Sequence, residues 1–104
     1  MASGESGKFK VDRLPHVSRQ IRQLGEKAKA YGVLTEFLNV LKENLGILGD
    51  EPLKWGDPEY HPIAKGSTVC HGVLDPLLVQ FAVFELEHKV MIMQVKVIPN
   101  SILD

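Results

Sequence analysis

The chain of 104 residues lacks three features that would identify a class of protein at once: cysteine pairs, long apolar runs and an excess of charge. Its one cysteine, Cys70, has no partner for an internal disulfide, which fits a reducing compartment. The apolar runs are far shorter than the ~20 residues needed to span a bilayer. A net charge of −1 excludes strong overall attraction to nucleic acid or acidic membranes. We therefore predict a cytoplasmic protein without a membrane partner.

The chain begins with Met-Ala-Ser-Gly-Glu-Ser-Gly, which is small and polar and contains no apolar segment. This stretch does not read as a secretory signal, and we predict that residues 1–7 form a flexible tail. Residues 8–104 are predicted to form a single domain, because a chain of this length can build one core without disulfides or metals.

Two amphipathic helices are predicted in the first half of the chain. Apolar residues recur every three or four positions over 17–31 and again over 34–45, as on one face of a helix. Gly32 separates the two stretches, since glycine readily adopts the left-handed conformation found at helix ends. Gly46 and Gly49 are expected to end the second helix. We predict a helical hairpin, and one uninterrupted helix is the alternative.

The second half of the chain predicts an antiparallel sheet. A short first strand is expected within 8–14, and three strands with alternating side chains are expected between Val69 and Ile98. The connection over 50–66 is expected to be irregular because it holds three prolines and two glycines. The order predicts an α+β fold, in which an N-terminal strand and a helical hairpin pack on a three- to four-stranded, mainly antiparallel sheet.

Alternation assigns the side chains of the last two strands to opposite faces of the sheet. The face expected under the helices carries Val79, Phe81, Val83, Met91, Met93, Val95 and Val97. The other face carries Leu78, Gln80, Ala82, Phe84, Val90, Ile92, Gln94 and Lys96. We predict that its apolar members bind a partner, because exposed apolar patches mark interaction surfaces: Leu78, Phe84, Val90 and Ile92. The alternative is that the N-terminal segment or the long connection covers them.

This layout resembles the RelE/ParE superfamily of bacterial toxins. The likeness is carried by Lys8-Phe-Lys-Val11 as the first strand, by the block from Gly72 to Val83 and by the segment from Glu87 to Val97. In that family the block commonly reads Arg-hydrophobic-x-Tyr-x-Val, and Phe81 and Val83 match its Tyr-x-Val part.

The resemblance implies the toxin component of a type II toxin–antitoxin system, neutralised by a small antitoxin that lays a helix or strand over it. The alternative partner is a second copy of the chain in a homodimer, and the implied target is a ribosome with bound mRNA or DNA gyrase. Ribonuclease members use an arginine where this chain has Leu78. They often also use a Tyr or His near the C-terminus, and the segment from Ile98 to Asp104 contains neither. We therefore predict action by protein binding. The alternatives are a weak ribosome-dependent endoribonuclease and a non-toxic binding module of the same fold.

The endoribonuclease alternative has three candidate catalytic residues: His71, Lys65 and Lys54. Imidazole suits general acid–base catalysis near neutral pH, although a packed or edge histidine is the competing interpretation of His71. Cys70 adjoins it, but neighbours on a strand point to opposite faces and cannot form a nucleophile–base pair. We expect Cys70 to be a small core residue.

Two further groups of polar or charged residues have a functional and a structural interpretation. Arg19 and Arg22 on the first helix are candidates for contacts to phosphate, and the alternative is the solvated side of an amphipathic helix. Asp57, Glu59 and His61 alternate in the long connection, but no further ligand at a recognisable spacing accompanies them. We predict no metal site and no cofactor.

Overall fold

The computed structural model describes residues 9–60 and 67–104, with the backbone alone at 58–60. In chain order the elements are β1 (Lys10–Arg13), α1 (Pro15–Ala30), α2 (Leu34–Asp50), α3 (Pro52–Trp55), β2 (Asp57–Tyr60), β3 (Ser67–Leu74), β4 (Leu77–Phe84) and β5 (Lys89–Val97). The strands form one five-stranded sheet in the order β1-β5-β4-β3-β2. β1 runs parallel to β5, and the other pairs are antiparallel. The predicted α+β class is confirmed, and the sheet has one strand more than predicted.

The helices α1 and α2 are separate and form the predicted hairpin. Gly32 between them has a φ of +75°, which glycine adopts without strain. Pro15 begins α1 at a position where its missing N–H has no helical partner to lose. The predicted end of α2 at Gly46 is wrong, because a glycine inside a helix costs only about 1 kcal/mol. The helix continues to Asp50 and ends where Pro52 restricts the residue before it.

The helices cover one side of the sheet, which we call the core face. The buried apolar cluster on that side consists of Val17, Ala28, Phe37, Leu48, Cys70, Leu77, Val79, Phe81, Val83, Val90, Ile92, Val95 and Leu103. The prediction that Cys70 is a core residue is confirmed. In the part of the chain that the structure describes, no helix packs on the other side, which we call the open face. None of the described helices is both long and apolar enough to cross a membrane.

A bulge in β5 determines which of its residues face the helices. Gln80 pairs with Gln94, whereas the next residue, Phe81, pairs with Ile92. Met93 is therefore an extra residue on β5, as in a β-bulge. Because side chains alternate with a period of two, one extra residue exchanges the two faces on one side of the bulge.

The bulge overturns part of the predicted face assignment. Val90 and Ile92 are 0% and 4% exposed and belong to the core, so their predicted place on the open face is wrong. Alternation predicts Met91 and Met93 in the core, but both are half-buried and lie outside the core cluster. Val95, beyond the bulge, lies in the core as predicted.

Two side chains of α1 stabilise the bulge. The Nε2 atom of His16 donates a hydrogen bond to the carbonyl oxygen of Met93 at 2.8 Å. The backbone N–H of Val95 donates to Oε1 of Gln20 at 3.1 Å. The pairing of β1 with β5 ends where Arg13 meets Ile92. Beyond that point, side chains of α1 form hydrogen bonds with the backbone at the edge of β5.

The connection after α2 is more regular than predicted, since it contains α3 and β2. Pro52 is tolerated because it begins α3, and Pro58 because β2 is an edge strand. The ring of Trp55 stacks on Phe81 with centroids 5.7 Å apart and planes at 9°. A Cβ atom on Gly72 would lie 2.5 Å from the same indole ring. Any larger residue at this position of β3 would therefore clash with Trp55.

Candidate functional site on the open sheet face

The open face carries a row of polar residues from four neighbouring strands, which we call the polar row: Asp57, His71, Gln80 and Gln94. Each residue is the register partner of the next, and such partners hold their Cβ atoms about 4.5–5.5 Å apart on one face. The row thus places a carboxylate beside an imidazole, with two amides continuing the line. Side chains of all three types can form hydrogen bonds, and a carboxylate and an imidazole can also take up or release a proton.

The core face positions the outer end of this row. The backbone of Gly56 lies against the core, where a Cβ would be 2.5 Å from Cζ of Phe81 and 2.9 Å from Cβ of Cys70. This close approach and the stacked ring of Trp55 fix the chain immediately before β2 begins. Asp57 follows directly and pairs with His71.

Apolar side chains lie on both sides of the polar row. On one side the register aligns Val73, Leu78 and Lys96, with Val73 exposed and Leu78 half-buried. On the other side it aligns Val69, Ala82 and Met91, and the row after that contains Phe84, which is half-buried. Two members of the predicted partner patch, Leu78 and Phe84, therefore lie on the open face, while Val90 and Ile92 do not.

The structure does not bring the three candidate catalytic residues together. His71 lies in the polar row, and Lys65 lies outside the described residues. Lys54 belongs to α3, which packs on the core face through Trp55, and its Nζ is 3.4 Å from Oε2 of Glu51. The sheet separates α3 from the open face, so Lys54 does not reach His71.

No arginine within residues 9–60 and 67–104 lies on the open face. Arg19 and Arg22 are exposed on α1, on the helix side of the sheet, and Arg13 pairs in register with the core residue Ile92. In the described strands, the lysines at open-face positions are Lys10, Lys89 and Lys96. The polar row therefore has no planar guanidinium to hold a phosphate by two parallel hydrogen bonds.

The sequence did not reveal the polar row. The sequence predicts an irregular connection around Asp57, and such a connection has no strand register. Alternation predicts Gln80 and Gln94 on the open face, and the available signal is one glutamine within each of two mostly apolar strands. Their alignment with His71 follows only from the pairing of the strands. Within residues 9–60 and 67–104, no three His, Cys, Asp or Glu side chains are grouped so that they could hold a metal ion.

Comparison with known proteins identifies the architecture. No protein-family model matches the chain, and no curated protein sequence matches it. Among solved structures, the crystal structure of the archaeal RelE-RelB complex from Pyrococcus horikoshii OT3 contains a similar chain, with a TM-score of 0.63 at 18% identity. The match covers 89% of this chain and 98% of that chain. The protein therefore has a RelE-like fold.

Proposed function

We propose that this chain is a toxin-like protein that acts by binding other proteins, and that a small antitoxin-type protein neutralises it. The observation that carries the proposal is the open face of a RelE-like fold. This face combines apolar side chains with hydrogen-bonding groups but has no arginine. Such a surface suits protein recognition, in which apolar contacts supply affinity and hydrogen bonds supply orientation.

Both the RelE-like fold and the open face support a protein partner. The similar archaeal structure is a RelE-RelB complex, so a chain of this fold is known with a second protein bound. Here Leu78 and Phe84 are only half-buried on the open face, and Val73 is exposed. An amphipathic segment of the partner would cover these side chains and place its own polar groups against the polar row.

The proposed target is a protein surface in the cytoplasm, on the ribosome or on DNA gyrase. Binding to such a surface needs no catalytic group, which agrees with a face that has no arginine to stabilise a pentacovalent phosphate. If the target and the antitoxin-type partner bind the same open face, the bound partner prevents this chain from binding its target.

Co-expression tests the partner. We expect the product of a short reading frame next to this gene to form a stable complex with the chain on gel filtration and to relieve growth arrest caused by the chain alone. Leu78→Asp should weaken that complex by roughly tenfold or more, because it places a charge within an apolar contact. Leu86→Asp is the matched control, since Leu86 lies in the turn after β4 and is 92% exposed.

Three results would contradict the proposal. The first is a complex that Leu78→Asp and Leu86→Asp weaken equally. The second is dimerisation of the chain through the open face without binding of the neighbouring product. The third is expression at high level without any effect on growth, which would favour the non-toxic binding module.

A second candidate function is a weak ribosome-dependent endoribonuclease. One observation favours it: Asp57 is the direct register partner of His71. A carboxylate next to an imidazole can orient the ring and stabilise its protonated form, as a general acid–base catalyst requires. The alignment provides one carboxylate–imidazole pair but no arginine that could hold the phosphate by two parallel hydrogen bonds.

We expect no efficient RNA cleavage by the purified chain in a translating extract. Cleavage products should be no more abundant with the natural chain than with His71→Ala, measured by primer extension on a reporter mRNA. Codon-specific cleavage that His71→Ala abolishes and Asp57→Asn reduces would establish the enzyme instead. Lys54→Ala is the control for that result, because Lys54 lies on the other side of the sheet.

A further inference from the structure

The side-chain amide of Asn44 in α2 is buried without hydrogen-bond partners in the described part of the chain. Asn44 is 4% exposed, and neither its Oδ1 nor its Nδ2 has a hydrogen-bond partner among the described residues. Nearly all buried polar side chains in folded proteins are hydrogen-bonded, because an unpaired buried polar group is costly. Asn44 therefore marks a place where a donor and an acceptor are presented together without a protein partner.

Asn44 lines a cavity of about 150 Å³ between the helical hairpin and the core face. Most of the lining is aliphatic, including Ile21, Leu41, Val79, Ile92 and Val95. The other polar residues of the lining are already engaged with each other, since Nε of Arg13 donates a hydrogen bond to Oγ of Ser18 at 2.7 Å. Asn44 is thus the buried polar side chain of this lining that has no hydrogen-bond partner in the part of the chain that the structure describes.

The cavity is accessible from the surface. Arg13 and Leu45 line it and are both exposed, so they form its rim. A ligand would enter between β1 and α2 without separating the helices from the sheet. The cavity lies on the core side and the polar row on the open side, so the two sites are distinct.

We propose that this cavity binds a small neutral molecule with an aliphatic body and an amide edge, such as a lactam or a primary carboxamide. The size follows from the volume, because a cavity of about 150 Å³ lined by apolar side chains accommodates a molecule as large as benzene. The aliphatic lining selects an apolar body, which gains free energy by leaving water.

The amide edge follows from the chemistry of Asn44. Its Nδ2 donates and its Oδ1 accepts, side by side in one plane. A ligand with a C=O and an N–H on the same edge pairs with both atoms at once, as asparagine pairs with the edge of adenine in DNA recognition. An ionised carboxylate accepts from Nδ2 but has no proton for Oδ1, and it would lose hydration in an aliphatic cavity.

Two probes of nearly the same shape test the inference on the full chain. δ-Valerolactam carries both a C=O and an N–H, whereas cyclohexanone carries the C=O alone. We expect the lactam to bind roughly five- to tenfold more tightly, the effect of one additional hydrogen bond. It should shift the methyl resonances of Leu41, Ile92 and Val95 in ¹H–¹³C NMR spectra. Valerate, which is ionised, should bind more weakly than the lactam.

Variants at position 44 provide the second measurement. Asn44→Leu should lose most of the lactam affinity and melt at a higher temperature than the natural chain, because it removes two unpaired polar groups and fills part of the cavity. If Asn44→Leu does not fold, Asn44→Ala retains the cavity without the amide and should bind lactam and cyclohexanone equally. Asn39→Leu is the control, because Asn39 is exposed on the same helix.

Three outcomes would overturn the inference. Equal affinity for lactam and cyclohexanone in the natural chain would show that the cavity accepts any apolar body. Tighter binding of valerate would show that the site recognises acids through Arg13. Absence of methyl shifts with every probe would show that the cavity binds none of these molecules and that water is the hydrogen-bond partner of Asn44.

Discussion

Val90→Lys is expected to unfold the protein, whereas Met91→Lys, at the next position of the same strand, is expected to leave it folded. Val90 is 0% exposed in the core under the helices, and the buried polar residues of the described chain, Asn44 and Ser67, carry no negative charge. An uncompensated buried charge costs about 3–5 kcal/mol, a large share of the roughly 5–15 kcal/mol that stabilises a typical domain.

Met91 is the matched control because it is half-buried on the open face. Its register partner on β1 is Asp12, so a lysine at position 91 gains an opposite charge nearby. Circular dichroism and urea denaturation of the two variants measure the difference. If Met91→Lys unfolds and Val90→Lys does not, β5 has no bulge at Met93 and the alternation expected from the sequence continues to position 97.

Phe81→Ala is expected to lower the free energy of unfolding by about 3–5 kcal/mol, the cost of removing a fully buried aromatic side chain. Phe81 is 0% exposed, its ring stacks on Trp55 and the backbone of Gly56 lies against it. Removing the ring opens a cavity that the rigid strand backbones on either side cannot fill. The same ring fixes the chain before Asp57, so we also expect the pairing of Asp57 with His71 to loosen.

Met93→Ala is the control for Phe81→Ala. It should cost less than about 1.5 kcal/mol, because only part of the Met93 side chain leaves water on folding. Equilibrium denaturation in urea gives both values, and the slope of each transition shows whether unfolding remains cooperative. Equal costs at the two positions would place Met93 in the core and would contradict the bulge.

The succession of elements was determined locally, and the sequence predicted it. The change from a three-to-four-residue period to a two-residue period after Gly66 separates helices from strands, and Gly32 divides the helices because few other residues adopt its φ of +75°. Neighbouring residues on a strand point to opposite faces, so the separation of Cys70 from His71 also followed from the sequence. These features depend on residues close together in the chain, and so did the recognition of a RelE-like layout.

Only the tertiary structure decided the face of β5 and the composition of the candidate site. The bulge at Met93 is stabilised by His16 and Gln20, which are 77 and 75 residues away from their partners in the chain. A pattern of period two contains no sign of such a contact, yet one extra residue exchanges the faces and moves Val90 and Ile92 into the core. Likewise, Asp57 meets His71 only because Trp55 and Gly56 pack against Phe81. Alternation within a strand is a local property, whereas register between strands depends on which distant groups satisfy their hydrogen bonds and fill the core.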